Sequence, residues 1–188
     1  MPRLTTRGEA RRAAVVESAA RIVGGAGPDA LTHRAVVAES GIPLAATTYY
    51  FGSIDDLRAA AVEHLLRAEL AQAEALVAAL PRRPRSAAAT ARHVVAVLLG
   101  PDRDDRQVLA LYERFLACGR HPALRRPMRE ARARVDAVLA DLLDRSGRPG
   151  ADVGTLVALV DGSAVSALVE GDGSARRRAE EAVARALG

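Results

Sequence analysis

Apolar positions along the chain recur at helical spacing almost from its start. Val16, Ala20 and Val23 lie on one stripe, with Val15, Ala19 and Ile22 beside it, which predicts a helix from about Arg7 to Val23. Thr6-Arg7-Gly8-Glu9 has the form of a capping box at its start, and Gly24-Gly25 predicts its end. A second start follows at Thr32, an N-cap residue whose predecessor Leu31 can staple onto Val36. That helix is short and closes at Ser40-Gly41. Pro43 then opens a third, from Leu44 to about Tyr50. Two short helices joined by Gly41-Ile42-Pro43 make a helix-turn-helix, with Ile42 buried in the turn and Val37 and Ala38 facing the first helix.

Ser53-Ile54-Asp55-Asp56 predicts the start of a long helix reaching about Ala79. Its expected stripe is Leu57, Ala61, Leu65, Ala68, Ala75 and Ala79, widened by Val62, Leu66, Leu70 and Leu76. Pro81 to Arg85 breaks the pattern. Further helices are expected over Ser86–Leu99, Asp105–Cys118, Ala123–Arg145, Asp152–Glu170 and Ser174–Leu187. No strand alternation is sustained anywhere, so the expected fold is all-α, with about nine helices. A three-helix helix-turn-helix domain over residues 1–52 would precede a helical bundle over 53–188.

The run Gly41-Ile42-Pro43-Leu44-Ala45-Ala46-Thr47-Thr48-Tyr49-Tyr50-Phe51, followed by Gly52-Ser53-Ile54-Asp55-Asp56-Leu57, resembles the signature of TetR-family transcriptional regulators. The paired alanines of the first helix, Thr32 and Ala38 fall at the same family spacing, and the match covers about the first 57 residues. Three positions depart from it. Pro43 replaces a Ser or Thr cap, Thr48 replaces a phosphate-contacting Tyr, and Ile54 replaces a Lys that contacts phosphate. The resemblance implies a homodimer joined through its last two long helices. It also implies an N-terminal DNA-binding domain, and a ligand whose binding alters the separation of the recognition helices.

Composition supports this picture only loosely. The chain of 188 residues is 49% hydrophobic and 3% aromatic, so its core must be built from Ala, Leu and Val. The net charge of +4 suits a polyanionic partner. All 27 basic residues are arginine, so arginine at any one position is not by itself a sign of a dedicated role. One cysteine, Cys118, excludes an internal disulfide. No apolar run is read as reaching membrane-spanning length, and the first residues lack a signal core, so a cytoplasmic protein with no membrane association is expected. Cys118 and His121 alone do not make a nucleophilic site, Ser163 lacks a nucleophile elbow, and His33, His64, His93 and His121 lack metal-ligand spacing. No enzyme, cofactor or metal is expected.

In a helix-turn-helix the early residues of the second helix face base edges. Pro43, Leu44, Ala45, Thr47 and Thr48 are those residues, and their small apolar character favours contact with thymine methyl groups. Thr32, His33 and Arg34 open the preceding helix, where free N–H groups suit phosphate. Tyr49 and Tyr50 can donate to phosphate, though Tyr50 and Phe51 equally suit a core, and Arg3 and Arg7 can follow the backbone or the minor groove. The expected dimer interface is Leu156, Val157, Val160, Ala164, Leu168, Val183 and Leu187. Leu65, Leu66, His93, Val97, Tyr112, Phe115, Leu116 and Met128 are candidate pocket residues for a small-molecule effector. Asp161, inside an otherwise apolar helix, can pair across the dimer, reach a ligand or stay solvated. The reading that follows is a repressor released from a palindromic double-stranded DNA operator by a small apolar effector. The alternative is a dimeric regulator without small-molecule control, whose C-terminal domain is a dimeriser or a protein-binding surface.

Overall fold

A computed structural model of the chain describes residues 6–171 and 174–188. Among the described residues it contains nine α-helices, two single 3-10 turns and no strand: α1 Thr6–Ala26, α2 His33–Ser40, α3 Leu44–Tyr50, α4 Ile54–Ala78, α5 Ala87–Leu99, α6 Asp105–Cys118, α7 Arg125–Arg145, α8 Val153–Glu170 and α9 Ala175–Leu187. The 3-10 turns, Pro28–Ala30 and Pro122–Leu124, each carry proline in the first position.

Local signals account for most of the boundaries. Thr32, Ser86, Asp152 and Ser174 cap α2, α5, α8 and α9 by accepting a backbone N–H through the side chain. Such a cap contributes about 1 kcal/mol. Asp104 and Gln107 cap α6 reciprocally, at 2.8 and 3.0 Å. One start and one stop differ from expectation. α1 opens at Thr6 itself rather than being capped by it, and it runs through Gly24-Gly25 to Ala26. The stop falls at Gly27, whose φ of 81° only glycine adopts readily. Pro43 stands at the N-cap of α3, which runs Leu44–Tyr50 as expected.

The chain divides into two compact units, neither of them a contiguous stretch. The smaller holds residues 1–67 and 113–129, the larger 68–112 and 130–188. The expected boundary at residues 52 and 53 is not where the units part. The core of the smaller unit is Val15, Ala19, Val23, Leu31, Val36 and Phe51 joined by Leu57, Ala61 and Val62 of α4 and by Cys118 and Leu124. Its second helix turns Val36 inward and leaves Ala38 exposed, the reverse of the expected placement for Ala38. Val37 and Ile42 are half-buried.

The larger unit packs α8 on α9 and both on α5. Val94, Leu99, Leu139, Leu142, Leu156, Val160 and Val183 form its centre. Here α4 contributes Leu70, Ala73 and Val77, whereas Ala68, Ala75 and Ala79, expected on the buried stripe, are exposed. Burial follows the larger side chains, because alanine occurs on every face of this helix. Contrary to the sequence reading, one helix is long and apolar enough to cross a membrane by length and composition: α8, with 18 residues and a mean hydropathy of 1.5. Its Leu156, Val157, Val160, Ala164 and Ala167 are buried in the core of the larger unit.

Candidate nucleic-acid interface

The helix-turn-helix is built by α2, a turn at Gly41 and α3. Gly41 is left-handed, with φ 67°, and its N–H closes α2 on the Val37 carbonyl at 2.9 Å. Ser40 ties the turn further: its hydroxyl donates to the Val36 carbonyl at 2.6 Å and accepts from the Ile42 N–H at 3.0 Å. The pair is fastened to α1 by Arg21, which donates to Glu39 of α2 at 2.7 Å and to Glu17 at 3.2 Å within its own helix.

The third helix, α3, presents a narrow set of side chains. Pro43, Ala45, Thr48 and Tyr49 are exposed, Tyr49 by 73%. The Thr48 hydroxyl donates to the Ala45 carbonyl of its own helix at 3.2 Å. Tyr49 meets Tyr50 edge-to-face at 5.1 Å, and the Tyr50 ring packs against the core of the smaller unit. Phe51 is fully in that core, with the Arg12 guanidinium 4.9 Å above its ring.

Thr47 requires a correction. It was expected among the base-reading residues, but it is completely buried and its hydroxyl lies 3.3 Å from Nδ1 of His33. It faces the first residue of α2 and joins α3 to α2. His33 is half-buried, while Thr32, Arg34, Arg7 and Tyr49 are exposed among the phosphate-facing candidates. Leu44 opens α3. Arg3 lies outside the described residues.

Two polar clusters that sequence reasoning did not single out hold this unit together. Arg58 is 8% exposed, and its Nε donates to the Pro28 carbonyl at 3.0 Å while its guanidinium pairs with Asp55. Asp29 receives Arg120 at 2.7 Å and His121 at 2.8 Å, so the turn after α1 is bound to the turn after α6. Those bonds hold the Asp29 carboxyl below the usual range, the Arg120 contact most strongly and His121 next. Only the residue types could have signalled this, since 91 positions separate Asp29 from Arg120. His121 is therefore engaged structurally, and burial pushes the thiol of its neighbour Cys118 up.

The eight candidate pocket residues are divided between the units. His93, Val97 and Tyr112 belong to the larger one, where Val97 and Tyr112 are core and His93 is half-buried. Burial, then Arg85 and Arg92, hold the His93 imidazole below its usual value. Leu65, Leu66 and Met128 are half-buried against the core of the smaller unit, and Phe115 and Leu116 are exposed.

The expected interface residues also need reassignment. Leu156, Val157, Val160, Ala164 and Val183 are buried within their own chain, and Leu168 and Leu187 are half-buried against the same core. They are covered because α8 lies against α5 and α9 of the same molecule. The face that α8 leaves uncovered is Thr155, Ala158, Gly162, Val165 and Val169, at alternating three- and four-residue steps. Val165 is 39% and Val169 80% exposed, and a Cβ on Gly162 would meet nothing within 4 Å.

Comparison with known proteins agrees with this architecture. Residues 85–188 match the family model of the tetracyclin repressor-like C-terminal domain. The multidrug binding protein EbrR, solved in complex with imidazole, is 32% identical over 97% of this chain and 93% of its own, with a TM-score of 0.69. Its complex with ethidium is 35% identical over 94% and 98%, with a TM-score of 0.66. A TetR-family member from Streptomyces coelicolor A3, SCO1917, is 34% identical over 94% and 97%, with a TM-score of 0.62. Comparison with curated proteins gave no match. The chain belongs to the TetR family of transcriptional regulators.

Proposed function

We propose that the protein is a dimeric repressor that binds a palindromic DNA operator through α3 and is released by a small apolar effector. The observation that carries the DNA-binding reading is the exposed face of α3. Pro43, Ala45, Thr48 and Tyr49 are exposed on it, while Thr47 is buried against His33 of α2. This face offers methyl groups and one phenol rather than bidentate donors, so it suits thymine methyl groups at base edges. Tyr49, Arg34, Arg7 and the exposed start of α2 at Thr32 supply phosphate contacts.

Two copies would join through the uncovered stripe of α8, with α9 beside it. The three-four repeat of small and apolar residues is the pattern that lets two helices approach closely along their length. Release by an apolar compound is supported by the relatives of similar length that are solved as ligand complexes. One of them, EbrR, is described as a multidrug binding protein.

The test is selection of bound fragments from genomic DNA by the full-length protein, followed by gel shifts on the selected sequence. Two inverted half-sites are expected, with binding lost in the double variant Thr48→Ala, Tyr49→Ala. Retained binding by a folded double variant would refute the role of α3. A compound screen read by operator release tests the effector. If no compound releases the operator, the protein is a regulator without small-molecule control.

A further inference from the structure

Charge is unevenly spread over the smaller unit. Residues 1–67, which hold the helix-turn-helix, carry eight arginines against seven acidic residues. Residues 113–129, the second piece of the same unit, carry five against one. The positive excess of the unit that bears α3 therefore comes mainly from outside the motif. In the first piece Arg21 is engaged by Glu17 and Glu39, and Arg58 by Asp55. In the second, Arg120, Arg125, Arg126 and Arg129 are exposed over the turn after α6 and the start of α7. Arg125 and Arg129 share one face of α7, one helical turn apart, and neither makes an ion pair among the described residues.

This charge runs against the helix that carries it. The first turn of α7 holds no acidic residue, and the positive end of a helix disfavours cations. Clustered arginines in that place are a local cost, of the kind that proteins keep where function requires it. The segment is also fixed in place. Leu124, between Arg120 and Arg125, is completely buried in the core of the unit, and Arg120 and His121 are bonded to Asp29. Asp29 stands three residues before Thr32, the exposed cap of α2, so chain length alone limits their separation to about 10 Å. Charges still act on one another over that distance at moderate salt. The arginine surface thus adjoins the start of α2, where the proposed phosphate contacts lie.

We propose that Arg120, Arg125, Arg126 and Arg129 form a second backbone-binding surface for double-stranded DNA, which engages phosphates flanking the half-site met by α3. The proposal rests on the DNA-binding reading above and adds to it a surface outside the helix-turn-helix. Phosphate contacts carry no sequence information, so this surface raises affinity and its salt dependence without altering the choice of operator.

The probes are two duplexes of the operator selected from genomic DNA. One is trimmed to the outer edges of the inverted half-sites, and the other is extended by about ten base pairs, one helical turn, on each side. Fluorescence anisotropy at several salt concentrations measures their binding to the full-length protein and to the double variant Arg125→Gln, Arg129→Gln. A second double variant, Arg83→Gln, Arg106→Gln, makes the same charge change at exposed arginines of the larger unit. The wild type is expected to bind the extended duplex about tenfold more tightly than the trimmed one at low salt. The Arg125, Arg129 variant should lose most of that gain. Its slope of log affinity against log salt should become shallower by about two or more, since each protomer loses two charges. Its preference for the operator over a scrambled sequence should be unchanged, and its melting temperature should not fall. Equal affinity of the wild type for the two duplexes, or an unchanged slope in the variant, overturns the proposal and leaves the DNA-binding reading standing; an acidic protein partner at this surface would give that result. An equal change of slope in the Arg83, Arg106 variant overturns it too, because the effect would then belong to net charge and not to this surface. Failure of the wild type to select or bind any duplex overturns both readings.

Discussion

Thr47 and His33 meet across the helix-turn-helix, hydroxyl to imidazole Nδ1 at 3.3 Å, with Thr47 completely buried. A residue at the centre of α3 thus ties the two helices together and is turned away from the exposed face. Thr47→Ala is expected to lower stability by about 1–2 kcal/mol, because it leaves the imidazole nitrogen without its partner. The variant should shift the melting curve while the folded fraction still recognises the operator. Selective loss of operator sequence preference at an unchanged melting temperature would contradict this placement.

Tyr49 should behave in the opposite way. It is 73% exposed and only its edge-to-face contact with Tyr50 is at stake in the fold. Tyr49→Ala is expected to leave the melting temperature within error and to weaken operator binding by about tenfold, roughly one phosphate-directed contact. Titration by fluorescence anisotropy measures the loss.

Two substitutions on one helix separate core from interface. Val160 is fully buried, and Val165, five residues on, is 39% exposed. Val160→Arg should fail to fold, since it places an unpaired charge in the core. Val165→Arg should fold and be monomeric by light scattering. A dimeric Val165→Arg protein would move the interface elsewhere.

The Asp29 cluster gives a pH signature. Its carboxyl is held below the usual range by Arg120 and His121, so the folded value lies under the unfolded one. The stabilisation is therefore fully present above the ordinary carboxylate range and fades as pH falls through the depressed value. Between those two values the wild type is expected to lose more stability than Asp29→Asn. Parallel acid-melting profiles of the two proteins would remove the cluster from the account of stability.

Leu124 lies in a single 3-10 turn yet is completely buried in the smaller unit. Leu124→Ala is expected to cost about 3 kcal/mol, as a cavity in a well-packed core does. Chemical denaturation checks the value. A loss below about 1 kcal/mol would mean that the segment after α6 is not part of that core.

The sequence was legible at most helix ends, where the cause of structure is local, although α1 ran past Gly24-Gly25 to Gly27. Thr32, Ser86, Asp152 and Ser174 cap helices as their residue types predict, and Gly41 makes the left-handed stop. Facing was harder to read. Ala38, Ala68, Ala75 and Ala79 fit a helical stripe, yet all four are exposed. In a chain so rich in alanine, small apolar residues do not mark the inside, and Val36, Leu70 and Val77 decide it. The same ambiguity placed Leu156 and Val160 at a subunit interface, because a helix apolar on most sides does not reveal which side its own chain covers. Long-range bonds such as Asp29 to Arg120 left no local trace.

The division of the chain also bears on how the proposed DNA specificity could be transplanted. A graft of residues 1–52 onto another regulator would leave behind Leu57, Ala61, Val62, Cys118 and Leu124, which complete the core that the reading helix rests on. The donor fragment must instead be two pieces, residues 1–67 and 113–129, carried together. Chimeras cut at the end of the recognition motif should be insoluble or blind to the operator, whereas a discontinuous exchange should carry the specificity intact.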